Sequence, residues 1–471
     1  MTTTTSEQQY IELYEQARQL ICDHAPEAMN AVRHQAYLDF KAQGFPSRKV
    51  ERYKYTDLQQ LFAPDYGLNL SRLAIPVDPY HTFRCDVPNL STNLYFMVND
   101  TFYGGERGEV RGDRLLHSAP ILPEGVIVDS LANVFSQPSP LATRLTSCYA
   151  RMARTGDDAV TALNTMLAQD GLLVYVPKNV QVDRAIQVIN ILKATPPNAQ
   201  RYVPDLMVNR RVLIVLEEGA ALKLLFCDHA ADDRRFLATQ VIEAYVGRNA
   251  SLDLYCLEET HYKNVRISNV YIDQQADSRV NHNVITLHNG ITRNRLDLTL
   301  SGQGAQCQCY GCVIADKQQH VDNNTLITHH APHCTSSQLY KYVLDDQATG
   351  AFAGRVLVEH GAQKTTSQMT SQNLTATPEA RMYTQPMLEI YADDVKCAHG
   401  STVGQLSDAA LFYMQQRGIT LREARLLLQN AFINEVIDHM QLLPLRDRLH
   451  YLVDKRFRGE LNKCEGCKLC K

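Results

Sequence analysis

The chain has 471 residues, too many for one ordinary core, so two or three domains are expected unless a repeat lets one core grow lengthwise. Apolar residues make up 45% and charged residues 21%, a globular balance that excludes a disordered chain. Lys plus Arg is 47 against 51 Asp plus Glu, a net charge of -4, which argues against nucleic-acid binding because neutralising phosphates takes a basic surplus or stripe.

The opening residues, MTTTTSEQQY, carry no apolar signal segment, and no run approaches the roughly 18 apolar residues of a membrane span. A cytoplasmic protein is therefore expected, and its 13 cysteines read as free thiols or metal ligands rather than disulfides. From Glu7 to about Phe62, Tyr10, Leu13, Tyr14, Ala17, Leu20 and Ile21 recur at spacings of three and four, which predicts helices punctuated at Pro26 and Gly44-Phe-Pro46. Residues 67–88, rich in Pro and Asp, read as a linker.

Between about Leu90 and Lys396 short alternating runs dominate, separated by Gly, Asn, Asp and Pro, with one helical exception near Asp157 to Gln169. Such spacing fits a sandwich, a barrel or a β-solenoid. A weak repeat favours the solenoid. Gly219-Ala220, Asn249-Ala250, Gln275-Ala276 and Gly304-Ala305 place Ala 30, 26 and 29 residues apart, with Ala348, Ala362 and Ala380 later. Stacked coils need a turn residue plus a small side chain at one recurring place, because neighbouring rungs crowd the interior. His288-Asn289-Gly290 offers the nearest hairpin signal. Gly302-Gln-Gly304 starts like a dinucleotide fingerprint but has Cys307 in the third glycine's place. Gly350 to Gly354 is too short for a phosphate-binding loop and lacks its Lys, so ATP hydrolysis by this chain alone is not expected.

Ser407 to Lys463 is helical again. Ser407 is an N-cap, Gly418 a stop, and Thr420-Leu-Arg-Glu423 a capping box opening a stripe of Leu421, Ala424, Leu427, Leu428, Ala431 and Phe432. After Pro444, Leu445, Leu449, Leu452, Val453 and Phe457 predict a last helix. A stacked coil ends in unpaired strand edges, so the helical segments at its two ends are expected to cap it.

Four clusters could carry chemistry. Cys397-Ala-His399 is half a metal site, or a buried thiol and a hydrogen-bonded imidazole in a turn. His329, His330, His333 and Cys334 are dense in ligand atoms, but Pro332 favours a turn with satisfied imidazoles. Cys307, Cys309 and Cys312 read as interior filling, with a turn at Gly311. The tail Cys464-Glu-Gly-Cys467-Lys-Leu-Cys470 has the spacing of three cluster ligands without a fourth, in basic surroundings that favour thiolates; the alternative is a solvated tail.

Arg293 to Ala305, His320-Val-Asp322-Asn323, Gln338-Leu-Tyr-Lys341, Phe352-Ala-Gly354, Gln363-Lys364-Thr365, Leu388 to Gly400 and Leu411-Phe412-Tyr413 through Arg417-Gly418 together resemble the core of the SufB/SufD family. Gly44 to Thr56 resembles the family's entry motif, with Tyr53 where Trp is usual. The resemblance implies a mainly β fold, a right-handed parallel β-helix (β-solenoid) core with N- and C-terminal α-helical segments. The corresponding divisions are 1–89 helical domain and linker, 90–400 core, 401–463 C-terminal helices and 464–471 Cys-rich tail. It further implies a non-catalytic scaffold in iron–sulfur cluster assembly, pairing with a SufB-like subunit through the β-helix. A SufC-like ATPase would dock on the C-terminal helices through Leu411, Phe412, Tyr413, Arg417 and Gly418. No cofactor is expected to bind stably; a transient iron–sulfur cluster would form at the SufB interface, with His399 and then Cys397 as ligands. The acceptor Cys of SufB-like chains would fall near Ser371, so the chain is SufD-like. A second copy of the chain is a further candidate partner when it is isolated; a stand-alone carrier using Cys464, Cys467 and Cys470 and a β-helix carbohydrate-active enzyme are the competing readings, and no nucleic-acid or membrane partner is expected.

Overall fold

The structure, a computed structural model, describes residues 6–73, 75, 79, 92–103, 121–194, 205–232 and 234–460. Cys464, Cys467 and Cys470, and most of the linker expected over 67–88, lie outside them.

From Leu172–Val176 onward strands alternate between two sheets, so each pairs in parallel with the strand two places away in sequence. Among the described residues one sheet has ten strands and the other nine, and the chain winds around both as a flattened β-solenoid. In the nine-stranded sheet Ile291, His320, Thr349 and Arg381 stack in register. In the ten-stranded sheet Arg279, Gln306, Thr335 and Thr366 do so. Alternation decides the rest: one row of each strand faces the partner sheet and builds a continuous interior from residues such as Leu254, Val270, Leu296, Cys309, Tyr340, Phe352 and Met369.

The corners explain the weak repeat. Gly219, Asn249, Asp277, Gly304, His333 and Lys364 all have positive φ, a left-handed conformation that Gly, Asn and Asp accept most readily. The next residue is small and buried in each case: Ala220, Ala250, Ser278, Ala305, Cys334 and Thr365. Ala276 is therefore not the repeat's small residue; it is half-buried, and Ser278 takes that place. Gly302 belongs to the same corner chemistry, since a Cβ there would lie 1.9 Å from the Ala276 nitrogen. His288-Asn289-Gly290 is likewise a corner and not a hairpin, because Arg279–His288 and Ile291–Leu300 lie in different sheets.

Three departures from expectation stand out. The strand-rich region contains helices at Leu131–Phe135 and Pro140–Thr146 besides the anticipated one, Ala159–Leu167. Cys307 and Cys309 fill the interior as expected, but Cys312 points the other way, under the C-terminal helices, and Gly311 lies within strand Gln306–Ala315 without a turn. The helical segments also do not cap the coil's last turn. The N-terminal helices Ser6–Asp23 and Glu27–Gln43 pack along the outer face of the nine-stranded sheet with Met207, Leu237, Val265 and Ile267. Helices Leu421–Ile437 and Leu443–Arg458 cover the outer face of the other, on Leu225, Tyr255, Ile285, Tyr310, Cys312 and Val343. At the N-terminal end of the solenoid each sheet ends in an antiparallel strand, Thr101–Phe102 in one and Ile127–Ser130 in the other. At the C-terminal end each sheet, among the described residues, stops on a parallel strand and is left open.

Candidate functional site

That open end is made by two strands. Among the described residues Arg381–Ile390 pairs only with Thr349–Val358, and Val395–Gly404 only with Thr365–Thr375, so each presents a free backbone edge. Unpaired N–H and C=O groups in a row are a template for another strand. Among the described residues no further rung covers the terminal turn, and almost every residue of Val395–Gly404 is exposed.

Cys397 and His399 both sit on Val395–Gly404, two apart and hence on one face. Register places Cys397 on buried Ser367 and His399 on fully buried Met369, so this is the inward row of the coil, reaching solvent because no further strand among the described residues stacks on it. Ser401, next on that row, meets Thr384 of the opposite strand at 2.7 Å, which marks the floor of the mouth. His399 is exposed, while Cys397 is half-buried against the interior cluster. Burial pushes the Cys397 thiol above its ordinary value, which makes it a slower nucleophile and a ligand only at the cost of a proton. His399 is thus the readier donor. Among the described residues no three His, Cys, Asp or Glu side chains converge as a metal site, so this pair supplies half a coordination sphere.

The other clusters disperse. His329 is buried with Nε2 2.8 Å from Ser336, and burial pushes its imidazole down to about 4. His330 pairs with Glu359 at 2.6 Å, His333 turns a corner, and the Cys334 thiol donates to the Gly302 carbonyl. Ser371, where the resemblance would put an acceptor Cys in SufB-like chains, is fully buried beneath Ser401 and hydrogen-bonded to Asn373.

The C-terminal helices form a second candidate surface. Ser407 caps Asp408–Gln416 and Thr420 caps Leu421–Ile437, but the box is half made: the Glu423 carboxylate takes Arg458 at 2.9 Å instead of returning to the cap. Leu411 is buried, so it supports this surface from within. Phe412 and Tyr413 are exposed at 63% and 60%, with the Arg417 guanidinium over the Tyr413 ring and Gly418 ending the helix at φ 82°. The predicted stripe on the next helix is rotated. Ile433, Val436 and Ile437 face the solenoid and Ala424 is buried, leaving Leu421 and Leu427 exposed. Contiguous exposed aromatic and aliphatic groups mark an interaction surface. Sequence periodicity could not choose between the two apolar faces; the sheet beneath does.

Two further features lie in stretches that carry the family resemblance, Gln338 to Lys341 and Gly44 to Thr56, but their roles come only from the structure. Lys341 is buried under Leu421–Ile437, donating to the Phe432 carbonyl at 3.1 Å and to the Glu435 carboxylate. The segment Glu51–Tyr55 runs across the outer face of the nine-stranded sheet to the open end, where Tyr55 stacks on Tyr383. Among the described residues no helix is long and apolar enough to cross a membrane.

Two family models match this chain: the SufBD protein N-terminal region over residues 4–188 and the SUF system FeS cluster assembly SufBD core domain over 199–432. An iron-sulfur cluster assembly SufBD family protein of Synechocystis is 27% identical over 427 residues, 87% of each chain. SufD of Escherichia coli is 32% identical over 173 residues, covering 37% of this chain and 41% of that one. SufD of Bacillus subtilis is 25% identical over 311 residues, covering 65% and 68%.

Proposed function

Because this chain belongs to the SufBD family of iron–sulfur cluster assembly proteins, we propose that it is a SufD-like scaffold without turnover of its own. The open end of its solenoid would receive a SufB-like subunit, and a SufC-like ATPase would dock on the exposed face carrying Phe412, Tyr413, Arg417, Leu421 and Leu427. One observation supports this reading above the rest. Among the described residues both sheets stop on parallel strands at the C-terminal end of the coil with no further strand paired to them, and the inward row of that end carries His399 in solvent.

The chemistry follows from the half site. Iron accepts imidazole nitrogen and thiolate sulfur, and a cluster needs more donors than His399 and Cys397 provide. A partner whose own strands lie against Arg381–Ile390 and Val395–Gly404 would add donors across the mouth and shut out water. The cluster is cargo, held while it is built. His399 would bind iron, and Cys397 would join once metal displaces its proton.

Co-purification with SufB-like and SufC-like subunits, read as stoichiometry and bound iron together, tests the proposal. A three-component complex with iron is expected, with His399→Ala keeping the complex and losing iron. Undiminished iron in that variant would remove His399 from the site; failure of the three chains to associate would remove the scaffold reading.

A further inference from the structure

The segment Glu51–Tyr55 reaches the terminal turn from far away in sequence, and its contacts form a line. At its base the Tyr53 hydroxyl donates to Asp158, which also takes Arg295 at 2.5 Å, and the Arg293 guanidinium lies 4.1 Å from the Tyr53 ring. The Arg52 carbonyl accepts from Arg293 at 2.7 Å, and its guanidinium reaches Asp297 at 2.6 Å and Asn324 at 3.2 Å. Thr56 donates to Asp322 at 2.7 Å. These are the rungs Ile291–Leu300 and His320–His329. Over the next rung the segment stands off, leaving a groove of about 30 Å³ lined by Arg52, Ala353, Arg355 and Met387. It then touches the outermost strand: Gln385 donates to Glu51 at 2.8 Å, and the Tyr55 and Tyr383 rings stack at 4.9 Å and 19°.

We propose that Glu51–Tyr55 is a splint that holds Arg381–Ile390 in the extended form with which the terminal strand of a second parallel β-coil pairs. This rests on the reading that the open end receives a SufB-like subunit. Among the described residues Arg381–Ile390 has a strand on one side only and no buried residue, so the solenoid holds it by a single ladder and few packed side chains. A frayed edge would have to be ordered at the moment of docking, and affinity would fall by that cost. The splint meets the ordering cost beforehand, from residues that belong to the well-packed rungs below. Glu51 and Tyr55 are positioning residues in this account, since neither needs to touch the partner.

Full-length chain carrying Glu51→Ala and Tyr55→Ala together tests the splint. Losing a stacked pair and a hydrogen bond should speed amide exchange in 381–390 by roughly three- to tenfold. Exchange in 279–300 should not change. Binding of a SufB-like subunit should weaken by a similar factor, capture of a SufC-like subunit should hold, and Tyr55→Phe should restore most of the loss. Unchanged exchange in 381–390 would overturn the splint, and faster exchange with undiminished SufB binding would overturn its part in docking. If the unaltered chain does not bind the SufB-like subunit, the pairing reading falls and takes the docking part with it, while the exchange comparison still decides whether Glu51–Tyr55 orders the strand.

Discussion

Replacing Lys341 by Met should loosen the C-terminal helices without loosening the solenoid. The Lys341 side chain is only 2% exposed, and its ammonium holds the Phe432 carbonyl, the Glu435 carboxylate and the Phe432 ring, 4.4 Å from the ring centre. A hydrogen bond to a charged group contributes about 1.5–3 kcal/mol. Two facts shrink that figure. Glu435 is 58% exposed, so water takes over when Lys341 goes, unlike a buried pair whose survivor is stranded. Met keeps the length of the side chain and buries without losing a hydration shell. The net expectation is about 1–2 kcal/mol, confined to helix Leu421–Ile437 and what packs on it. Native-state amide exchange reads it directly: opening free energies in 421–437 fall by that amount, while those of 279–300 stay put. Equal losses in both would mean that helix and solenoid open as one unit, and no loss in 421–437 would mean that apolar packing alone holds the helix; either refutes the reasoning.

Glu258 offers a pH signature. Burial raises its carboxyl to about 7 inside the solenoid, where Thr260, Thr286 and Thr292 surround it. The folded chain therefore binds a proton that the unfolded chain has released, so this group's contribution to stability falls as pH rises from about 4.5 to about 7 and is flat above, by roughly 3 kcal/mol. Glu258→Gln should abolish that slope and raise the melting temperature at pH 8, with little change at pH 5; an unaltered slope would exclude Glu258 as its source. Gly311→Ala should cost about 1–3 kcal/mol in urea unfolding through overpacking, because its Cβ would lie 2.1 Å from the Tyr340 ring. The double variant with Tyr340→Leu should recover part of that loss, and simple additivity would show that the ring is not the obstacle. Phe412→Ser with Tyr413→Ser should abolish capture of a SufC-like ATPase and leave SufB-like binding intact, as paired pull-downs would show.

The sequence by itself determined the class of fold and the chemistry on offer. A turn residue followed by a small one, recurring near every thirty residues, is a local requirement of stacked corners, so Ala220, Ala250 and Ala305 are legible without coordinates. The Cys397–His399 pair is legible for the same reason: alternation along a strand fixes a shared face. Rotation of Leu421–Ile437 was not legible, because the helix is apolar on two sides and only the outer face of the ten-stranded sheet selects which side is buried. Nor was the orientation of Cys312, which depends on Gly311 continuing the strand past Tyr340 instead of turning. Capping failed as an expectation because helices cover whichever apolar surface is largest, and the outer faces of the sheets exceed the end of one coil. Local pattern sets what each segment is. Contacts between residues hundreds of positions apart, such as Tyr55 with Tyr383, decide how those segments are laid against one another.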